Sequence, residues 1–171
     1  MVLSDVDIRK ALKDGVMKIR PLKPDQIGQA SVDLSVGDEW YFFKDQYIGK
    51  TVDLSKVDFK RAHRKIKAKT ITLKPQEMCL GKTIEKITLP ANMMGKLEGR
   101  SRYARMGISV HITSAVVQPG SNNHQVLEIV NMAPFSIKLH AGMRISQVVF
   151  KRLESKSSKP YAKYGKIARR Q

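Results

Sequence analysis

The chain has 171 residues, 42% of them hydrophobic and 27% charged, which suits one domain with a buried core. Its 32 Lys and Arg against 15 Asp and Glu give a formal charge of +17, which attracts polyanions without choosing among nucleic acid, an anionic membrane and small phosphorylated ligands. A lone cysteine, Cys79, excludes an intramolecular disulfide, and no run approaches the roughly 18 apolar residues of a membrane helix.

The opening MVLSDVDIRKALKDG holds no apolar run, so no signal peptide is read there and a cytoplasmic protein with no membrane partner is expected. Ser4 followed three residues later by Asp7 marks a helix start, Ile8 and Leu12 share a face, and Gly15 supplies a stop; a helix is expected near residues 5–13. Strand signals follow. Residues 31–36 alternate apolar and polar, 40–43 form an aromatic run, 70–73 alternate again, and 78–89 continue up to Pro90. Further strands are expected at 108–112, 115–117, 125–131, 136–139 and 143–150, with a short helix at 101–106. Many short strands between Gly, Pro and Asn predict a sandwich or barrel.

No repeat or domain boundary is visible, so residues 1–171 are read as one domain. Two stretches are strongly basic. Residues 56–69 carry seven Lys or Arg against one Asp, and 151–171 carry eight against one Glu. Both fit a solvated surface, the second as a mobile tail, and the tail also suits phosphate contact.

Several chemistries are excluded by composition. Zinc deaminases need a Cys and His set that one cysteine cannot build, and His63, His111, His124 and His140 lack ligand spacing. There is no P-loop, and Gly99-Arg100-Ser101 lacks the second Gly of a nucleophile elbow. Two signals remain. Arg100, Ser101, Arg102 and Arg105 follow Gly99 at an expected helix start, which fits either a phosphate cradle or an exposed basic turn. Glu128 stands among apolar residues in QVLEIVN. If Val126, Glu128 and Val130 share a face, Glu128 is either functional, as a general base, or a structural or solvent-facing carboxylate.

The ordered motifs resemble the dCTP deaminase branch of the dUTPase-like superfamily. SVDL at 31–34, LGKTIE at 80–85 and LPAN at 89–92 look like its early strand and central hairpin. Residues 99–108 resemble its G-R-S-S-L-x-R-x-G-L motif, 110–114 its V-H-x-T-A strand, and 142–147 its G-M-[KR]-I-G-Q. Pro119-Gly120, Leu127-Glu128 and Lys163-Tyr164 follow at family spacing, so the match runs from Leu3 to about Tyr164. The resemblance implies a mainly β fold, a distorted jelly-roll-like barrel with one or two short helices. It also implies a homotrimer with active sites between subunits, and deamination of dCTP to dUTP and ammonia without zinc, with Mg²⁺ held on the triphosphate. Nucleic acid is not a partner on this reading, although the charge leaves room for one. Carried across, Glu128 activates water, and Ser101 and Arg105 position the water and the pyrimidine. Arg100 and Ser101 meet phosphates, Ile112 and Ser114 contact the base through backbone, and Val126 and Leu127 lie along the nucleotide. Gln147, Lys163 and Tyr164 close over it.

The departures cluster round the same site. Arg102 replaces the second serine of G-R-S-S and offers phosphate a charged contact. Gln118 replaces an aspartate that reads the sugar and, in relatives that hydrolyse dUTP, orients water; an amide cannot act as a base. Residues 121–124 replace a glycine-bearing turn, Ser114 replaces an alanine, and no glutamine follows Tyr164. A dUTP pyrophosphatase, a bifunctional enzyme and a non-catalytic nucleotide-binding homologue are the competing readings.

Overall fold

A computed structural model describes residues 1–164. Helix α1 spans Asp5–Lys13 as the sequence predicts. The Ser4 hydroxyl accepts from the Asp7 N–H at 3.3 Å, and the Asp7 carboxylate accepts from the Ser4 N–H at 3.2 Å, so two donors that the helix leaves unpaired are satisfied. Ile8 and Ala11 bury the inner face against the core.

The rest is mostly strand: β1 Lys18–Arg20, β2 Val32–Phe43, β3 His63–Lys67, β4 Thr70–Leu73, β5 Met78–Thr88, β6 Met93–Gly99, β7 Ile108–Val110, β8 Val116–Val117, β9 Asn122–Asn131, β10 Ile137–His140 and β11 Arg144–Arg152. Short helices interrupt them, α2 at Phe59–Ala62, α3 at Ser101–Ala104 and α4 at Tyr161–Tyr164. Nine strands form one sheet in the order β7-β9-β5-β2-β11-β6-β8, with β1 on β5 and β3 on β2, curled into a half-barrel. β4 and β10 form a separate pair.

The alternating run at 31–36 and the aromatic run at 40–43 belong to one strand, β2. It pairs with β11 over Val32–Ser35, then with β5 and β3 further on, with a register irregularity between Val36 and Trp40. Trp40 is fully buried and donates its indole N–H to the Ala68 carbonyl at 2.9 Å. The indole lies over Gly81 of β5, where a Cβ would come within 2.6 Å of Val36 and 3.3 Å of Trp40, so only glycine lets the two strands close. The buried Glu85 carboxylate accepts from the Gln26 amide at 2.7 Å and the Ser35 N–H at 2.8 Å. Among the described residues no buried side-chain polar atom lacks a partner, as a stable core requires.

Residues 153–164 fold back along the sheet. The Leu153 and Ser157 N–H groups donate to Asn92 and Ala91, and those of Tyr161 and Ala162 to Pro119 and Gly120, at 2.8–3.1 Å. Residues 165–171 of the expected tail lie outside the described residues. No helix among the described residues is long and apolar enough to cross a membrane.

Candidate active site

Strand β9 carries the first group of site residues. It pairs with β5 so that Leu80 faces Glu128 and Lys82 faces Val126. Alternation puts Leu127, Ile129 and Asn131 into the core, and turns Val126, Glu128 and Val130 to the other face. Leu127 is fully buried, so its side chain packs in the core instead of along a nucleotide.

Beside β9, the strand expected over 108–112 ends at Val110. His111 takes a left-handed backbone, φ 61°, and turns the chain round the Glu128 carboxylate. The N–H groups of Ile112 and Thr113 donate to Glu128 Oε2 at 3.1 and 2.9 Å, and the Thr113 hydroxyl lies 2.9 and 3.0 Å from the two carboxylate oxygens. The His111 N–H donates to the Glu128 carbonyl at 2.8 Å, and His111 Nδ1 accepts from the Glu128 N–H at 3.4 Å. Burial lowers the His111 pKa, opposed in part by the Glu128 charge, which keeps the ring neutral with its proton on Nε2.

A cavity of about 300 Å³ opens on this carboxylate. Glu128, His111, Gln125, Asn123, Gln118 and Ser114 supply polar groups, and Val126, Val116 and Val117 supply an apolar wall. Tyr161 enters from the returning C-terminal segment, its hydroxyl pKa raised by burial. A cavity with one fixed carboxylate, several neutral hydrogen-bonding groups and an apolar side suits a flat, polar heterocycle.

A second polar cluster forms where β6 meets α3. Arg100 Nη2 lies 3.0 Å from Asp33 Oδ2, and Nη1 donates to the Arg144 carbonyl at 3.1 Å. Burial raises the Asp33 pKa, and the Arg100 charge opposes that rise without cancelling it. Gln147 accepts from the Ser31 hydroxyl at 2.7 Å and donates to the Gly99 carbonyl at 3.0 Å. Ser101, Arg102 and Arg105 stand exposed on α3 and its C-terminal end. Arg144 is itself held by Asp25 at 2.9 Å.

A family model described as dCTP deaminase-like matches residues 2–153. The chain belongs to the dCTP deaminase-like family. The dCTP deaminase of Rhodospirillum rubrum is 37% identical over 95% of this chain and 88% of its own length. A protein of Dictyoglomus thermophilum named dCTP deaminase, dUMP-forming, is 38% identical over 95% of this chain and 86% of its own. The crystal structure of 2'-deoxycytidine 5'-triphosphate deaminase from Agrobacterium tumefaciens matches with a TM-score of 0.70 at 22% identity. It covers 88% of this chain and 48% of that one, so the chain spans about half its length. EIAV dUTPase matches with a TM-score of 0.54 at 18% identity, over 85% and 93% of the two chains. Both structures show a shared fold, the dUTPase-like half-barrel.

In this member of the dCTP deaminase-like family the motif residues therefore fall into two groups. Glu128, Val126, Ser114 and Gln118 line the cavity, and Ile112 does not line it but donates its backbone N–H to the Glu128 carboxylate. Arg100, Ser101, Arg102, Arg105 and Gln147 do not line it. Lys163 and Tyr164 are exposed on α4, the Lys163 ammonium 5.6 Å from the Tyr164 ring, and Tyr161 takes the place beside the cavity. Seven cavity residues had no role in the sequence reading, His111 and Tyr161 among them. His111 sat within a quoted motif without a role, and Tyr161 had no signal beyond an aromatic near a Lys-Pro turn. No group of three or more His, Cys, Asp or Glu able to hold a metal exists among the described residues.

Proposed function

We propose that this protein deaminates dCTP to dUTP and ammonia, with Glu128 as the group that moves protons. The observation that carries the reading is the Glu128 carboxylate, fixed by two backbone N–H groups and a hydroxyl on the wall of a cavity large enough to admit a nucleobase. Water beside Glu128 attacks C4 of the cytosine ring as the carboxylate takes its proton. Glu128 passes that proton to N3, then takes the proton of the new C4 hydroxyl and delivers it to the amino nitrogen as the C4–N bond breaks, so that ammonia leaves and a C4 carbonyl remains. Neutral His111 adds no competing charge, and the apolar wall of Val116, Val117 and Val126 receives the flat face of the base. Ser114 and the backbone at Ile112 read its edge, and Gln118 reaches the sugar.

Ser101 and Arg105 are assigned to the water and the pyrimidine, Arg100, Ser101 and Arg102 to phosphates, and Gln147, Lys163 and Tyr164 to closure. Ser101 and Arg105 line no cavity with Glu128 in one chain, which supports a homotrimer in which a neighbour supplies them. Asp33 already neutralises part of Arg100, so exposed Arg102 offers the triphosphate the less committed charge. Mg²⁺ fits this site only through the nucleotide, because the described residues offer no acidic cage and magnesium is commonly held by substrate phosphates. A cytoplasmic location belongs to the same reading.

A second reading is favoured by relatives named dCTP deaminase, dUMP-forming. In it, dUTP is cleaved further to dUMP and pyrophosphate. Gln118 counts against that step, since the cavity then lacks the second carboxylate that would orient a water on the phosphate chain. The deciding experiment incubates the protein with dCTP or dUTP and Mg²⁺ and separates the nucleotides by chromatography. dCTP converted to dUTP, with dUTP left intact, is the expected result. dUMP from dCTP installs the second reading, and no reaction of either nucleotide removes both.

A further inference from the structure

The deamination leaves one basic surface without a task. β2, α2 and β3 carry four rings in a contiguous run on one sheet face. Phe43 lies 4.3 Å from His63 between centroids, His63 4.8 Å from Phe59, and Phe59 5.4 Å from Tyr41. The pairing explains the run: Tyr41 stands opposite Lys65 and Phe43 opposite His63, so all four side chains share a face, and α2 lays Phe59 over it. Phe43 and Phe59 are each 43% exposed, large for phenylalanines in a domain with a filled core.

Cations surround these rings. Lys60 and Arg61 follow Phe59 in sequence, and the Lys65 ammonium is 6.0 Å from the Tyr41 centroid. Lys65 and Lys67 have carboxylate partners in Glu39 and Asp38, but Lys60 and Arg61 have none among the described residues, and Arg64 lies over the Phe42 ring on the opposite face. None of these residues lines the Glu128 cavity. Edge-strand lysines discourage sheet-to-sheet pairing, but that role asks for no exposed rings.

We propose that this face binds single-stranded nucleic acid, with unpaired bases on the exposed rings of Phe43 and Phe59 and phosphates on Lys60 and Arg61. Stacking platforms framed by cations hold single strands with little sequence preference, because every base has a flat face. A duplex hides those faces, and α2, four residues long, offers no recognition helix for a groove. This binding is independent of the deaminase reading and survives its failure.

The test is fluorescence anisotropy with labelled oligothymidine and oligouridine of roughly 20 nucleotides, longer than the usual footprint of about 4–16. Sodium chloride is varied from about 50 to 200 mM. Two phosphate contacts predict a log–log salt slope of about −1.4. Phe59→Ala should weaken binding about tenfold or more, Phe59→Trp should restore it, and Lys60→Glu with Arg61→Glu should abolish it. Melting temperature and dCTP turnover should stay unchanged in all three variants. Four results overturn the proposal: no binding at low salt, binding that survives both the alanine and the charge-reversal variants, a preference for duplex, or stronger binding to anionic phosphatidylserine vesicles. If a variant unfolds, Phe43→Ala read against the same oligonucleotides decides in its place.

Discussion

Thr113 holds the Glu128 carboxylate at three points, through its N–H at 2.9 Å and its hydroxyl at 2.9 and 3.0 Å. The hydroxyl is the part that mutation can remove while the shape is kept. Thr113→Val leaves both backbone donors and frees the carboxylate to turn. A hydrogen bond to a charged group contributes about 1.5–3 kcal/mol, so kcat should fall roughly ten- to a hundredfold with KM little changed. Steady-state kinetics on dCTP check it. An unchanged kcat would mean that the two N–H groups alone fix the carboxylate.

Removing the carboxylate itself should do more. Glu128→Gln keeps size and one accepting oxygen but cannot take a proton from water. Turnover should fall by about 10²–10⁴-fold while dCTP still binds, as calorimetry would read. A variant with normal turnover would take Glu128 out of the chemistry.

Ser101 and Arg105 lie outside the cavity that Glu128 lines. If a neighbouring subunit supplies them, two inactive variants complement each other. Glu128→Gln and Arg105→Ala should each be nearly inactive alone. Mixed after mild denaturation and refolding, they should regain a fraction of wild-type activity, because some sites then combine an intact Glu128 with an intact Arg105. Activity that never rises above that of the separate variants would place both residues in one subunit's site.

The Glu128 site was legible because its signals are local. The alternation across 125–131 told which side chains leave the core, and the capping pair Ser4 and Asp7 placed α1 to the residue. What stayed hidden depends on residues distant in sequence. β6 escaped because Gly95 breaks the strand pattern; its reason is Val148 of β11, whose methyl carbon would come within 2.8 Å of a Cβ there. β3 read as a solvated basic stretch because its sequence, HRKIK, has one apolar residue, and only pairing with β2 makes it a strand. The Arg100–Asp33 contact joins residues from two separate motifs, and neither motif reports a partner. The left-handed turn at His111 has no sequence mark, since the same residue would serve in a continued strand.

Gly120 and Pro160 make the junction between the sheet and the returning C-terminal segment. Gly120 has φ 76°, and a Cβ there would lie 2.6 Å from the Pro160 Cβ and 3.2 Å from the Tyr161 N. Gly120→Ala therefore meets both a strained backbone and a clash with backbone atoms that cannot swing away. The conformational cost alone is about 1–2 kcal/mol. The segment carrying Tyr161 should detach more readily, raising KM for dCTP and speeding tryptic cleavage after Lys163 at unchanged melting of the core. Wild-type cleavage rates would show that the segment is not held at this point.

His111 should make stability depend on pH below neutrality. Burial lowers its pKa, and Glu128, the charged group nearest it, opposes this only in part. The unfolded chain therefore takes up the proton at a higher pH than the folded chain does. The histidine favours the folded state fully above its ordinary value of about 6.5, and that advantage is lost as pH falls from there through the folded value. One proton limits the slope to about 1.4 kcal/mol per pH unit. Protonation would also set an N–H on Nδ1 against the Glu128 N–H, 3.4 Å away, and loosen the turn that aligns the carboxylate. His63 is shifted in the same direction by burial, so the wild-type curve holds two contributions. His111→Asn separates them, because asparagine accepts the left-handed backbone but does not titrate. Denaturant melts of the two proteins between pH 7 and pH 5 should diverge, with the variant losing less stability on acidification. Parallel curves would take His111 out of the acid dependence of the fold.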